Sequence, residues 1–369
     1  GHRILSGDID VDYDGYQQFS AWYLMADFPL TEYLKIIGGA RFEKTELSII
    51  NYPEKDVTWI PPGANGTVIL NPGDADVDYK QDDVLPSIGF VLEPAEGWKF
   101  RASYSETVAR QTFKELSPIT QQEFLGSDVF VGNPELTMSA LKNYDLRLDY
   151  APYAGGLVSF SCFYKDVKDP IEYIQRLVNY TFTTVVNYPE GELSGFEVEV
   201  RQDLGHFWPK LEGLSIGANA TFIDSVVQLP EHESAQFELP NINAPMKERE
   251  MTNAPEHLYN LYFTYDMARL GLTGTQLGVF YTVKGDTLIA GAGQSKGNFV
   301  PNVFETEHGT LNISLKQQFG DHFSLKLQAK NLTNPDIETV YRSEYIDEDV
   351  TKTSYQKGVE FSISGSIEF

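Results

Sequence analysis

The feature that most constrains this chain is a period-two alternation of apolar and polar residues. It is clearest over residues 359–369. The apolar residues there are Val359, Phe361, Ile363, Ile367 and Phe369, and the polar residues between them are Glu360, Ser362, Ser364, Ser366 and Glu368. Successive side chains of a β-strand point to opposite sides, so such a segment has one apolar and one polar face. The same pattern recurs at 143–150 and 323–330. These segments are predicted to be strands that separate two different environments.

The pattern continues along the whole chain. Further strands are predicted at 16–28, 33–48, 84–93, 97–108, 156–174, 195–204, 213–226, 257–267, 272–285 and 308–318, which gives 13 in total. The connections alternate in length: they are short at 29–31, 94–97, 152–156, 205–213, 267–271 and 320–322, and long at 49–83, 109–138, 175–194, 227–256, 286–307 and 331–353. All short turns therefore lie at one rim, which is typical of an outer-membrane barrel.

We therefore expect an all-β fold, an antiparallel up-and-down transmembrane β-barrel with no helix longer than about three turns. Phe361, Ile363 and Leu327 should face lipid, and Ser362 and Gln328 the lumen. A soluble β-sandwich also alternates apolar and polar residues, but its Greek-key connections do not sort by length in this way. Barrels of bacterial single chains have an even number of strands, so 13 strands should be part of a larger barrel, and no strand pair should be parallel.

Charge and motifs exclude several classes of function. The net charge of −25 repels phosphate backbones, so no nucleic-acid partner is expected. The single cysteine, Cys162, rules out an internal disulfide framework. The histidines lack metal-binding spacing and no G-x-S-x-G nucleophile motif occurs, so we expect neither an enzyme nor a cofactor.

An acidic segment near the start has two interpretations. Asp10, Asp12 and Asp14 precede Gly15 as in the first half of a calcium loop, although Ala21 stands where the bidentate Glu of that motif is expected. Calcium binding by these three residues is one interpretation, and a solvated acidic loop is the simpler one.

Aromatic residues in the long loops are the candidates for ligand contact. They lie where an external ligand would first meet the protein: Trp59, Tyr188, Phe299, Tyr341 and Tyr345. Such rings stack on sugars, siderophores and cobalamin alike, although some could instead belong to the aromatic girdle at the lipid interface. Few cationic residues accompany them, which favours a neutral or zwitterionic ligand over a strongly anionic one.

Several segments resemble one known family. These are 82–87, 100–107, 132–136, the Phe-Tyr-Lys-Asp run that begins at Phe163, and Ala329-Lys330-Asn331-Leu332-Thr333-Asn334, with the terminal aromatic Phe369. Together they resemble the barrel strands of TonB-dependent outer-membrane receptors. The resemblance implies that residues 1–369 are the C-terminal part of a barrel of about 22 strands, whose plug domain and TonB box are absent from this chain. It also implies three partners, namely outer-membrane lipid, the TonB complex acting through that plug, and a small-molecule or oligosaccharide ligand.

Three functions are compatible with such a chain. The first is energy-coupled uptake of a bulky nutrient such as a siderophore, cobalamin or glycan. The second is a passive porin, and the third is a surface binding protein without transport. Because 13 strands leave two unpaired edges, the isolated chain is not expected to form a closed pore.

Overall fold

Thirteen long strands form one antiparallel sheet in which each strand pairs with the next along the chain. The computed structural model describes residues 11–64, 66–122, 128–178, 180–295 and 298–368. The strands of this wall are β1 (Val11–Pro29), β2 (Leu34–Pro53), β3 (Val77–Leu92), β4 (Trp98–Ala109), β5 (Ser139–Tyr150), β6 (Leu157–Lys168), β7 (Glu190–Asp203), β8 (Leu214–Gln228), β9 (His257–Asp266), β10 (Thr275–Lys284), β11 (His308–Phe319), β12 (Phe323–Lys330) and β13 (Glu360–Ile367). The predicted number and order of strands are confirmed.

One predicted strand is wrong at its end. The segment 156–174 divides at Asp169, which has a left-handed φ of 52° and precedes Pro170. Since proline has no N–H to donate, the ladder of β6 cannot continue through it. The wall strand ends at Lys168, and Ile171–Leu177 joins a different sheet outside the wall.

The two faces of the wall differ in chemistry. On one face a row of apolar residues crosses the sheet in register, from Phe90 through Ala102, Leu146 and Cys162 to Phe196. In the last two strands Leu327 pairs with Ile363, while Gln328 pairs with Ser362 on the opposite face. Ile363 is 70 % exposed and Phe361 75 %, as expected for side chains that meet lipid. The predicted division into two faces is confirmed.

The long connections fold into a layer of small sheets at the opposite rim from the short turns. We call this the loop layer. Its two four-stranded sheets contain, in spatial order, Ile171–Leu177, Thr181–Asn187, Phe130–Val131 and Thr120–Gln121, and Thr287–Ala290, Asn302–Glu305, Ile337–Arg342 and Val350–Tyr355. Two hairpins add Thr58–Trp59 with Val68–Ile69 and Gly293–Ser295 with Asn298–Val300, and Glu248–Arg249 extends the edge of β8.

Helices are short. The structure has α1 (Phe113–Leu116) and α2 (Glu231–Phe237) in the loop layer, with 3₁₀ turns at Leu204–His206, Pro209–Leu211 and Met267–Leu270 near the short connections. None of the helices in the described part of the chain is long and apolar enough to cross a membrane.

The expectation that every strand pair is antiparallel is wrong in the loop layer. Thr183 and Thr184 pair in parallel with Phe130 and Val131. These residues belong to different long connections, so no hairpin turn dictates their relative direction. Within the 13-strand wall all pairs are antiparallel.

Most of the buried apolar core lies in the loop layer. Its most deeply buried apolar side chains include Leu116, Val185, Phe237 and Leu288. Leu47 and Ile49 extend the inner face of β2 into this core, on the same side of the strand as Glu43 and Thr45. The loops therefore cover the polar face of the wall, which identifies that face as the lumen side.

Candidate functional site

A polar cleft opens in the loop layer beside helix α2. It has a volume of about 110 Å³ and is lined by Gly63, Ile174, Gln175, Arg176, His232, Glu233, Gln236, Phe237, Gly293 and Gln294. We call it the α2 cleft. Larger depressions, such as one of about 460 Å³ beside Phe90 and Leu146, lie on the apolar face of the wall. These are grooves between side chains that lipid tails would fill, whereas the α2 cleft is lined by charged and amide side chains.

Helix α2 presents its residues to the cleft through helical spacing. Glu233 and Phe237 are four residues apart and so share a face, as do His232 and Gln236. Phe237 is completely buried among apolar side chains that include Val227 and Leu229, and it thereby anchors the helix. Across the cleft, the Gln294 side-chain amide donates to Gln236, which ties the Gly293–Ser295 hairpin to the helix.

A chain of buried polar contacts runs from the cleft into the loop layer. The Tyr188 hydroxyl donates to Glu233 Oε1 at 2.6 Å, and the Arg249 guanidinium lies over the Tyr188 ring, 5.0 Å from its centroid. Arg249 Nη1 in turn donates to Glu172 Oε2 at 2.7 Å. Glu172 is 1 % exposed and Arg249 8 %. This deeply buried charge pair joins two separate connections, 169–189 and 229–256.

Burial shifts the pKa values of these groups. It raises the pKa of the Glu172 carboxyl despite the opposing effect of Arg249, and it raises the pKa of Glu233 despite the Tyr188 hydrogen bond. It also lowers the pKa of Arg176, an effect that Glu233 partly offsets. Arg176 and Glu233 thus line one cleft from different elements, and the charged form of each bears a desolvation cost that a further complementary charge would reduce.

Several polar atoms around the cleft are not fully used. Gln175 donates through Nε2 to Thr183 Oγ1 at 2.6 Å, but its buried Oε1 has no partner among the described residues. Arg176 donates through Nη2 to the Ala64 carbonyl at 3.0 Å, and among the described residues its guanidinium has no other hydrogen bond. The cleft therefore offers both donors and acceptors to a ligand.

Two of the predicted ligand residues meet beside this cleft. The Phe299 ring lies 6.1 Å from Phe237 and 6.4 Å from Tyr345, both in edge-to-face geometry. Tyr345 is 40 % exposed, and its hydroxyl donates to the Pro245 carbonyl at 2.8 Å. Residues from two different loops thus form an aromatic margin around the cleft.

The other predicted aromatic residues lie elsewhere. Tyr188 is only 1 % exposed and belongs to the core, so the structure does not present it to an external ligand. Trp59 packs against the separate cluster that contains Val57 and Leu70. Tyr341 lies beneath Lys352, whose ammonium is 5.3 Å from the ring centroid and pairs with Asp128 at 2.8 Å.

Sequence reasoning missed the charged part of the site. Residues 227–256 were expected to be a loop, whereas they contain α2 with Glu233 on its inner face. The spacing of His232 with Gln236 and of Glu233 with Phe237 after Pro230 was a usable helical signal. No local pattern connects Arg176 with that helix.

The described part of the acidic segment is a strand and not a calcium loop. Asp12 and Asp14 lie in the extended strand β1, and Asp10 lies outside the described residues. Both side chains are exposed, and Asp14 Oδ2 accepts a hydrogen bond from Tyr52 at 3.2 Å. An extended strand cannot wrap its carboxylates around one ion as a calcium loop does. Within the described ranges no group of three or more His, Cys, Asp or Glu side chains could hold a metal ion.

The inner face of the wall is polar below the loop layer. Arg147 pairs with Asp149 at 2.8 Å and with Glu199 at 2.9 Å, and the Ser159 hydroxyl donates to Asp149 at 2.6 Å. Wall, polar lumen face and folded loop layer together define a protein of the outer-membrane receptor class.

Comparison with known proteins identifies the family. The model of the "TonB dependent receptor-like, beta-barrel" family matches residues 3–332, so the chain belongs to the TonB-dependent receptor β-barrel family, and its place is the bacterial outer membrane. No curated protein matches the chain.

Solved structures share the fold. The ferric-catecholate import receptor Fiu of E. coli K12 aligns with a TM-score of 0.58 at 12 % identity over 96 % of this chain and 45 % of its own. The ferric enterobactin receptor PfeA of Pseudomonas aeruginosa aligns at 0.56 and 14 % over 97 % and 55 %, and the ferric yersiniabactin uptake receptor FyuA of Yersinia pestis at 0.55 and 16 % over 97 % and 47 %. The chain spans about half the length of these structures.

Proposed function

We propose that this chain belongs to a receptor that carries out energy-coupled uptake of a bulky nutrient across the outer membrane. The observation that supports this most is the α2 cleft with its aromatic margin, placed in a folded layer over the polar face of the wall. A ligand captured there would stand directly above the lumen. Nothing in the arrangement calls for catalysis, and we propose a transporter and not an enzyme.

The complete transporter requires more than these strands. In the described residues the sheet begins at β1 and ends at β13, and these two strands do not pair with each other. Open edges cannot stand in hydrocarbon, because their backbone groups would lack hydrogen-bond partners. We propose that further strands complete a barrel of about 22, and that a plug inside it contacts the TonB complex.

Ligand contact is proposed for Phe299 and Tyr345, which border the α2 cleft. Trp59 and Tyr341 are proposed as secondary contacts, since each is partly exposed in a loop. The ligand is a siderophore, cobalamin or glycan, and a neutral or zwitterionic one is favoured because acidic residues dominate the chain, with 53 Asp and Glu against 28 Lys and Arg.

Uptake measurements test this proposal against a passive porin and against a surface binding protein. Cells with and without the receptor gene would be given a labelled ferric siderophore, cyanocobalamin and a dextrin oligosaccharide, each with and without a protonophore. We expect receptor-dependent uptake of one probe that the protonophore abolishes. Uptake that survives the protonophore would favour a porin, and surface binding without uptake would favour a binding protein. No receptor-dependent signal for any probe would also count against the proposal.

A further inference from the structure

The α2 cleft carries one positive and one negative group, and each has hydrogen-bonding capacity left over. Arg176 uses one N–H on the Ala64 carbonyl, and Glu233 Oε1 accepts from Tyr188 while Oε2 accepts no hydrogen bond from the described residues. Since Arg176 lies on the strand Ile171–Leu177 and Glu233 on α2, the two charges stand on different elements that border one space. The local charge is therefore balanced, although the chain as a whole carries −25.

The size of the cleft limits what can enter. Its volume is about 110 Å³, whereas a single water needs about 10 to 15 Å³. The cleft thus holds a group of several non-hydrogen atoms but not an entire bulky nutrient. It is a subsite for one part of the ligand, and the remainder would lie against Phe299 and Tyr345 at the margin.

The amide groups add directional contacts. Gln175 is 1 % exposed and lines the cleft, and its unpartnered Oε1 can accept a hydrogen bond from an N–H group. Gln236 and Gln294 lie at the opposite side and are already joined to each other. An ammonium group would find two acceptors here, Glu233 and Gln175, and a carboxylate would find the planar donor fork of Arg176.

We propose that the α2 cleft binds a zwitterionic unit of the ligand, an ammonium and a carboxylate on neighbouring atoms as in an α-amino acid, with the carboxylate on Arg176 and the ammonium on Glu233. This inference rests on the proposed receptor function and specifies the chemistry of its ligand. A neutral sugar would satisfy the amides but would bring neither an anion to Arg176 nor a cation to Glu233, so it would not reduce the desolvation cost of either group.

Matched probes can test each charge separately. The probes are 4-fluorophenylalanine, its N-acetyl derivative, which lacks the ammonium, and its carboxamide, which lacks the carboxylate. Binding to the purified full-length receptor would be followed by ¹⁹F NMR at millimolar probe concentration. We expect the zwitterion to bind and each derivative to bind at least tenfold more weakly.

Two variants assign the contacts. Glu233→Gln keeps an acceptor for Tyr188, and it should remove the difference between the zwitterion and the N-acetyl derivative. Arg176→Gln should remove the difference between the zwitterion and the carboxamide. Glu231→Gln, which changes an exposed residue of α2 outside the cleft, should leave all three affinities unchanged. A merely structural role of Glu233 or Arg176 would instead weaken all three probes equally.

The unmodified receptor alone can overturn the inference. Equal binding of the zwitterion and its two derivatives, or no binding of the zwitterion, would refute it even if both variants failed to fold. The protonophore-sensitive uptake described under the proposed function is a separate measurement in cells, and that result would leave it unaffected. Failure of the zwitterionic subsite and failure of the uptake function are thus distinguishable.

Discussion

The buried pair Glu172–Arg249 allows an asymmetric test of what holds the loop layer together. Removing one partner of such a pair typically costs about 3 to 5 kcal/mol, because the other charge is left buried without compensation. The two partners differ in how they can escape that cost. A carboxyl can bind a proton and become neutral, whereas a guanidinium keeps its charge at any ordinary pH.

Glu172→Gln should therefore be the more damaging change. It leaves the Arg249 cation, 8 % exposed, with the Tyr188 ring, the Glu250 carbonyl and the more distant charge of Glu233 for support. We expect a loss of about 3 to 5 kcal/mol in the opening free energy of the loop layer near neutral pH. Since every 1.4 kcal/mol is a factor of ten, amide exchange should accelerate roughly 150- to 4,000-fold.

Arg249→Met should behave differently because Glu172 then titrates. Burial already raises the pKa of Glu172, and loss of Arg249 raises it further. The folded layer then binds a proton more tightly than the unfolded one, so the variant gains stability as pH falls. The gain is about 1.4 kcal/mol per pH unit between the two pKa values and is lost as pH rises through the folded one.

Hydrogen exchange measures both effects in the intact receptor. The reporters are the amides of Ile171–Leu177, which pair within the loop layer and open with it and not with the wall. Asp349→Asn, which breaks the half-exposed contact of Asp349 with Arg342 at 2.8 Å, is the matched control and should cost less than about 1 kcal/mol. A cost below about 1 kcal/mol for Glu172→Gln, or an Arg249→Met cost that does not change with pH, would refute the reasoning.

Further predictions concern the wall, the aromatic margin and the cleft. Ile363→Arg, at a lipid-facing position in the middle of β13, should destabilise the folded barrel by about 2 to 4 kcal/mol in a bilayer folding titration, whereas Ser364→Arg on the lumen face should cost far less; equal costs would contradict the assignment of faces. Replacing Phe299 and Tyr345 together by Ala should lower ligand affinity in cells with normal surface abundance of the receptor, and unchanged affinity would exclude these rings as contacts. Affinity for the zwitterionic probe should fall on acidification, and the fall should occur at a higher pH than for a contact with an exposed Glu, because burial raises the pKa of Glu233. The charged or titratable groups that face Glu233 are Tyr188, Arg249, Arg176 and His232. A pH-independent affinity would contradict the contact between the probe and Glu233. The chain refolded alone into liposomes should give no stable single-channel conductance, since two wall edges are unpaired, and discrete stable channels would disprove this.

The wall could be predicted from the sequence because its pattern is local. Each strand separates lipid from lumen, so the identity of a residue such as Leu327 or Gln328 reports directly which face it occupies. The lengths of the connections are local features as well, and their alternation between short and long assigns all short turns to one rim and all long loops to the other. The strand count, the order of strands and the two faces all followed from these features.

The loop layer could not be predicted in the same way. The sequence placed Tyr188 and Tyr345 equally in outer loops, yet packing buries Tyr188 beneath Arg249 and leaves Tyr345 exposed beside Phe299. Likewise Asp12 and Asp14 belong to a strand because β2 extends beside this end of β1 and pairs with it.

The sequence by itself thus determined which segments cross the membrane and which side chains face lipid. Only the tertiary structure decided which loop residues form the candidate site, because Arg176 and Glu233 line one cleft through the packing of connections far apart in the chain. A side chain that faces lipid must be apolar, so every second residue of a membrane strand is apolar and the pattern is visible in the sequence. The environment of a residue in the loop layer depends on which other loop packs against it, and that packing produces no periodic sequence pattern.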